Sequence, residues 1–186
     1  MIPPHDTLPG QRFGLIADTH SNLVDWPAAL ASIKTALGQV DGIIHCGDLG
    51  SADVLRDLGQ IAPVLATRSG DDPPAQAPLL VDGERTFEAG DLRLGVVFSL
   101  DGPPTHVRVD PAVAFTTLSA NQAVTALFGA PPVDVCVFGG THQAAVAMSE
   151  GILFINPGSP TLAKQRTVAI LTVENGCANV EIVPVG

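Results

Sequence analysis

The chain has 186 residues, 46% of them hydrophobic and 15% charged, which is enough for one buried core without disulfides and too apolar for disorder. Nineteen acidic against nine basic residues give a net charge of −10, which argues against nucleic acid and anionic membranes as partners, because their binders gather Lys and Arg on one face. No apolar run approaches the roughly 20 residues of a membrane helix, and residues 1–11, with three prolines and no Lys or Arg, match neither a signal nor a transit peptide.

Residues 1–11 read as a loose tail, residues 12–186 as one domain, and the cytoplasm as the expected location. Arg12–Ala17 is an apolar run that predicts a buried strand, followed by Asp18-Thr-His-Ser-Asn22. Leu23, Trp26, Leu30, Ile33 and Leu37 recur at helical spacing until Gly38. Gly42–Cys46 predicts a second strand, ending in Gly47-Asp48. Ser51 is placed to cap a short helix with Val54, Leu55 and Leu58 on its apolar side, stopped by Gly59. Pro63–Thr67 predicts a third strand that runs into Arg68-Ser-Gly-Asp-Asp72. Strands alternating with helices imply parallel pairing with right-handed crossovers.

The second half changes character. Arg85–Glu88 and Leu92–Phe98, separated by Ala89-Gly-Asp91, predict an antiparallel hairpin. Residues 102–106 read as a loop, and Asp110-Pro111 as the start of a helix reaching Phe128. Val133–Phe138 predicts a strand that leads into Gly139-Gly-Thr-His142. Strands are expected at Ala144–Met148, Ile152–Asn156, Thr167–Val173 and Cys177–Val183, the last two joined by Asn175-Gly176. A mostly parallel half followed by a mostly antiparallel half suggests two sheets packed face to face with helices outside. Cys46, Cys136 and Cys177 are far apart and lack CxxC spacing; they read as structural thiols.

The metal-capable side chains fall at strand ends. Asp18 and His20 follow the first strand, Asp48 the second, and His142 the strand ending at Phe138. Sites in α/β sheets form outside the carboxyl ends of strands, so these loops are expected to converge. Two carboxylates with two imidazoles suit Mn, Fe or Zn better than Mg or Ca, which favour oxygen.

Four blocks carry a family resemblance. Asp18-Thr-His-Ser-Asn22 is similar to Asp-x-His-(Gly/Ser)-Asn, and His45-Cys-Gly-Asp48 to a strand followed by Gly-Asp. Gly139-Gly-Thr-His142 is similar to Gly-His-Thr-His, and Ile155-Asn-Pro-Gly-Ser159 to Ile-Asn-Pro-Gly-Ser. In this order they resemble the calcineurin-like metallophosphoesterases, in their small bacterial and archaeal phosphodiesterase branch.

The resemblance implies a four-layer α/β/β/α sandwich of two mixed sheets. It implies one divalent transition metal, Mn, Fe or Zn, held by Asp18, His20, Asp48 and His142, with Asp48 shared with a second ion and central to catalysis. The implied function is hydrolysis of a small phosphate ester or diester by metal-activated water. The second ion's remaining ligands in the family are an Asn and two His, and the matching positions here are Gly70, Phe98 and Gly140, none with a donor side chain.

Asp71 and Asp101 are weaker substitutes as ligands, His106 is a weaker candidate for ligation or catalysis, and Arg68 is the weaker candidate for phosphate binding. Two divalent ions against Asp18 and Asp48 would leave about +2 for phosphate, whereas one ion leaves about zero. Two readings follow: a phosphoesterase with a one-metal or rebuilt site, or a catalytically impaired member serving as a binding or regulatory scaffold. A doubly wound nucleotide binder is disfavoured, since no GxGxxG or P-loop follows the first strand.

Overall fold

The computed structural model describes residues 8, 10–72, 80–100 and 119–186. The apolar run at the start becomes β1 (Arg12–Ile16), buried after its first residue. Helix α1 (Trp26–Leu37) starts where the Asp25 carboxylate accepts from the Ala28 amide and stops at Gly38, φ 59°, a conformation that favours glycine. β2 (Gly42–His45), α2 (Asp53–Leu58) and β3 (Val64–Arg68) follow. Next come β4 (Leu80–Asp82), β5 (Arg85–Ala89), β6 (Leu92–Val97) and α3 (Ala120–Phe128). The chain finishes with β7 (Val135–Phe138), β8 (Ala144–Ser149), β9 (Ile152–Pro157), β10 (Thr167–Glu174) and β11 (Cys177–Pro184).

One sheet has the order β11-β10-β1-β2-β3-β4 and the other β5-β6-β7-β9-β8. Both are mixed. β1, β2, β3 and β4 are parallel neighbours, while β10 joins β1 antiparallel. In the second sheet β6, β7 and β9 run parallel, with antiparallel β5 and β8 at the edges.

Strand alternation sorts the side chains into layers. Phe13 and Leu15 of β1, Ala169 and Leu171 of β10, Val135 and Val137 of β7, and Leu153 and Ile155 of β9 share the core between the sheets. Ile16, Ile43, Val168 and Ile170 point the other way and pack against Ile33 and Leu37 of α1 and Val54, Leu55 and Leu58 of α2. Cys136, Phe138 and Phe154 pack on Ala123, Val124 and Phe128 of α3. The α/β/β/α sandwich expected from the resemblance is therefore present. Each fully buried Leu, Ile or Phe contributes about 1.5–3 kcal/mol of apolar transfer, so these three clusters fix the strand ends that carry the site.

Several expectations need correction. The sheets do not divide at mid-chain, because the β10–β11 hairpin returns to the first sheet beside β1. The helix reaching Phe128 starts at Ser119, whose hydroxyl accepts from the Gln122 amide while the Gln122 side chain accepts from the Ser119 amide. This reciprocal cap is a stronger start signal than Asp110-Pro111, which lies outside the described residues, as does the loop at 102–106. Ser51 precedes the cap position of α2, which Ala52 occupies. Leu23 sits in a short 3-10 turn, 65% exposed. β4 had no sequence signal. In the stretch read as a tail, Leu8 is buried in the inter-sheet core and Gln11 accepts from the Val173 amide.

Candidate metal centre

Asp18 and His20 lie just past β1, Asp48 past β2 and His142 past β7. β1 and β2 end side by side in one sheet and β7 ends in the other, and the loops that follow them meet. One ligand atom from each of Asp18, His20, Asp48 and His142 lies within 4.8 Å of every other. Nε2 of His20 is 3.1 Å from Nε2 of His142 and 3.4 Å from an Asp48 oxygen, and Nε2 of His142 is 3.9 Å from Asp18. All four residues have positive φ, between 40° and 59°. Non-glycine residues hold that conformation only when their surroundings over-determine it, at a cost of about 1–3 kcal/mol each.

Hydrogen bonds supply that determination. The Gly140 amide donates to both carboxylate oxygens of Asp18, at 3.1 and 3.0 Å. The Ser69 hydroxyl donates to Asp48 at 2.8 Å. Asp72, 4% exposed, accepts from the amides of Asp48, Leu49 and Ser69 at 2.9, 2.6 and 2.9 Å, tying the β2 loop to the β3 loop. The Ile155–Ser159 block does the same for the other loops. Asn156 donates to the Gly139 carbonyl and the Thr141 hydroxyl, and Ser159 donates to the Asp18 carbonyl at 2.7 Å.

Beneath the site, the Gly47 amide donates to Nδ1 of buried His45, which leaves the proton on Nε2, 3.1 Å from the Thr19 hydroxyl. That hydroxyl in turn donates a hydrogen bond to the Leu49 carbonyl. Burial pushes the His45 pKa down to about 4, so His45 is a neutral strut with both ring nitrogens engaged, outside the ligand cluster.

The electrostatics call for a cation. Burial, with the neighbouring Asp48 charge adding to it, pushes the Asp18 carboxyl up to about 7 against the pull of the Gly140 amide. Burial and the nearby His20 hold His142 below the ordinary histidine value. Two carboxylates in a polar but poorly solvated cleft and two imidazoles, all with ligand atoms within 4.8 Å of one another, fit one divalent transition ion. Among the described residues this is the one such group of three or more ligand-capable side chains.

The positions that the resemblance assigns to a second ion, Gly70, Phe98 and Gly140, carry no donor side chain. A Cβ on Gly47 would lie 2.8 Å from the Phe98 ring, and one on Gly140 would lie 3.5 Å from it. The half-buried Phe98 ring therefore stands between the Gly47 and Gly140 loops, where the resemblance calls for an imidazole. Gly70 has open space and Asp71 is exposed outside the cluster. Arg68 donates to the Asp72 carbonyl in its own loop. Asp101 and His106 lie outside the described residues. Asp72 was the functional residue that sequence reading missed; its signal was the acid closing the Arg68–Asp72 block, next to the more conspicuous Asp71.

A two-sheet sandwich with Asp, His, Asp and His meeting at its strand ends defines a metallophosphoesterase-type protein. The chain belongs to the calcineurin-like phosphoesterase superfamily, whose domain model matches residues 12–176. It is 28% identical over 177 residues to a probable metallophosphoesterase of Methanothermobacter thermautotrophicus, covering 93% of this chain and 92% of that protein. It is 26% identical over 167 residues to a phosphodiesterase of Methanocaldococcus jannaschii, covering 88% and 93%. Among solved structures, Vps29 of Chaetomium thermophilum superposes with a TM-score of 0.66 at 19% identity, covering 95% of this chain and 97% of that one. The last likeness is one of fold.

Proposed function

We propose that this protein hydrolyses a small phosphate ester or diester at a centre holding one divalent transition ion. The observation that carries the reading is the convergence of Asp18, His20, Asp48 and His142 within 4.8 Å, together with family membership and a relative named as a phosphodiesterase. Asp18, His20, Asp48 and His142 would hold the ion, whose chemistry there would be acidification of water and polarisation of a phosphoryl oxygen.

The chain's own groups do the rest. Gly140 and Ser69 orient the carboxylates of Asp18 and Asp48. His142, 35% exposed, and His20, 20% exposed, stand at the solvent side of buried Asp18, so a phosphate approaches across the imidazoles. His45 is engaged below and stays out of proton transfer. With about zero net charge from one ion and two carboxylates, a singly charged diester suits the centre better than a doubly charged monoester.

The scaffold reading has one observation in its favour: the Phe98 ring against the Gly47 and Gly140 loops, where a two-ion clamp would need a donor. Metal content and hydrolysis of bis(p-nitrophenyl) phosphate separate the two. The enzyme reading expects Asp48→Ala to lose metal and metal-dependent hydrolysis together. A metal-replete parent with no hydrolysis above the Asp48→Ala background refutes it and leaves the scaffold.

A further inference from the structure

A cavity of about 500 Å³ opens directly against the candidate metal centre. It shares His142 with the centre and is lined further by Thr141, Gln143, Leu162, Lys164 and Ile182. Ala144 of the edge strand β8 and Ile182 of the edge strand β11 both line it. Its volume is within the range of small-molecule sites, about 300–1,000 Å³.

The walls have two characters. Leu162, 42% exposed, and Ile182, packed against the inter-sheet core, form an apolar side. Exposed Gln143 and Lys164 supply an amide and an ammonium. Lys164 is one of two lysines in a chain of net charge −10, and it is the one that lines this cavity. Its ammonium adds positive charge on the approach to a centre whose ion and carboxylates cancel.

We propose that this cavity is the subsite for the organic group of a phosphodiester, with Leu162 and Ile182 against its carbon skeleton and Lys164 as the countercharge for its single negative charge. The proposal rests on the metal-centre reading above, since His142 joins the two. The geometry supports it because a phosphoryl group at the four ligands has His142 on the cavity side, so one ester oxygen can point into the groove. An organic group up to about nucleoside size fits the volume.

The test uses the full-length, Mn-loaded protein with Leu162→Trp, which fills the groove from an exposed loop, and Lys164→Glu, which reverses its charge. Kinetics compare the p-nitrophenyl diester of thymidine 5′-phosphate with p-nitrophenyl phosphate, with metal content measured alongside. Both variants are expected to keep their metal; Leu162→Trp is expected to lower the diester-to-monoester ratio of kcat/KM by about tenfold, the scale of lost contacts in one pocket, and Lys164→Glu to lower kcat/KM for both esters. An unchanged ratio in Leu162→Trp, or unchanged kcat/KM values in Lys164→Glu, overturns the subsite.

A second readout does not need turnover. Titrating ¹⁵N-labelled protein, loaded with diamagnetic Zn, with thymidine 5′-O-methyl phosphate is expected to shift the amides of Gln143, Leu162 and Lys164, and Leu162→Trp is expected to abolish those shifts. Shifts without hydrolysis keep the subsite and refute the enzyme reading. Hydrolysis without shifts keeps the enzyme and refutes the subsite.

Discussion

Replacing Asp72 with Ala tests whether the site is held by its loops. The Asp72 carboxylate is 4% exposed and accepts three backbone amides, from Asp48, Leu49 and Ser69. A hydrogen bond to a charged group is worth about 1.5–3 kcal/mol, and an amide left buried and unpaired costs about 1–3 kcal/mol. Asp48 is half-buried, so its amide recovers water, while those of Leu49 and Ser69 do not. Losing the bonds to the two amides that stay buried, at about 1.5–3 kcal/mol each, removes about 3–6 kcal/mol of stability. Asp72→Asn keeps one acceptor oxygen and should lose about half of that.

The same change should loosen Asp48, whose positive φ of 59° is imposed by this network, and weaken metal binding by at least tenfold. Urea denaturation of the metal-free protein gives the first number and competition with a chromogenic chelator the second. Stability within about 0.5 kcal/mol of the parent, as for an ordinary surface change, with unaltered metal affinity would refute the reasoning.

The remaining predictions probe other parts of the structure. His45 has its pKa lowered to about 4 from 6.5, so its contribution is intact above pH 6.5 and is lost as pH falls through 4, by about 3 kcal/mol in all. Asp18, raised to about 7 in the metal-free protein, acts oppositely, its contribution being present below the usual carboxylate range and lost as pH rises through 7. Metal-free Asp18→Asn should therefore show a steeper fall in stability from pH 6.5 to 4 than the parent, followed by urea titration; a parallel dependence would count against the raised Asp18 carboxyl, and a flat profile in Asp18→Asn against the buried neutral His45. Gly95→Ala places a Cβ 2.7 Å from the Phe128 ring and should cost about 1–3 kcal/mol by overpacking, read as a lower Tm. Gly140→His alone should add no second ion, because φ there is +81° and the Phe98 ring is 3.5 Å from the new Cβ; two ions per chain by elemental analysis would contradict this.

The sequence was most legible where local and global signals agreed. Apolar runs ending in Asp18, Asp48 and Gly139 marked both strands and site, because strand burial and loop chemistry leave separate traces in the chain. The return of β10 to β1 was not legible, since a hairpin signal such as Asn175-Gly176 says nothing about which sheet the hairpin joins. The start of α3 was misplaced because Asp-Pro and Ser119-x-x-Gln122 are both start signals, and the reciprocal hydrogen bonds at Ser119 decide between them. The four candidate ligands could be named from the motifs. Asp72 could not, because its role is to receive amides from two loops that only the fold brings together.

The account stands or falls on how many ions the centre holds. Anomalous scattering from Mn-soaked crystals measures it directly. The account predicts one well-occupied peak, about 2 Å from ligand atoms of Asp18, His20, Asp48 and His142, with the Phe98 ring in place beside it. Two well-occupied peaks about 3.5 Å apart, with Asp71 or Asp101 on the second, would contradict it.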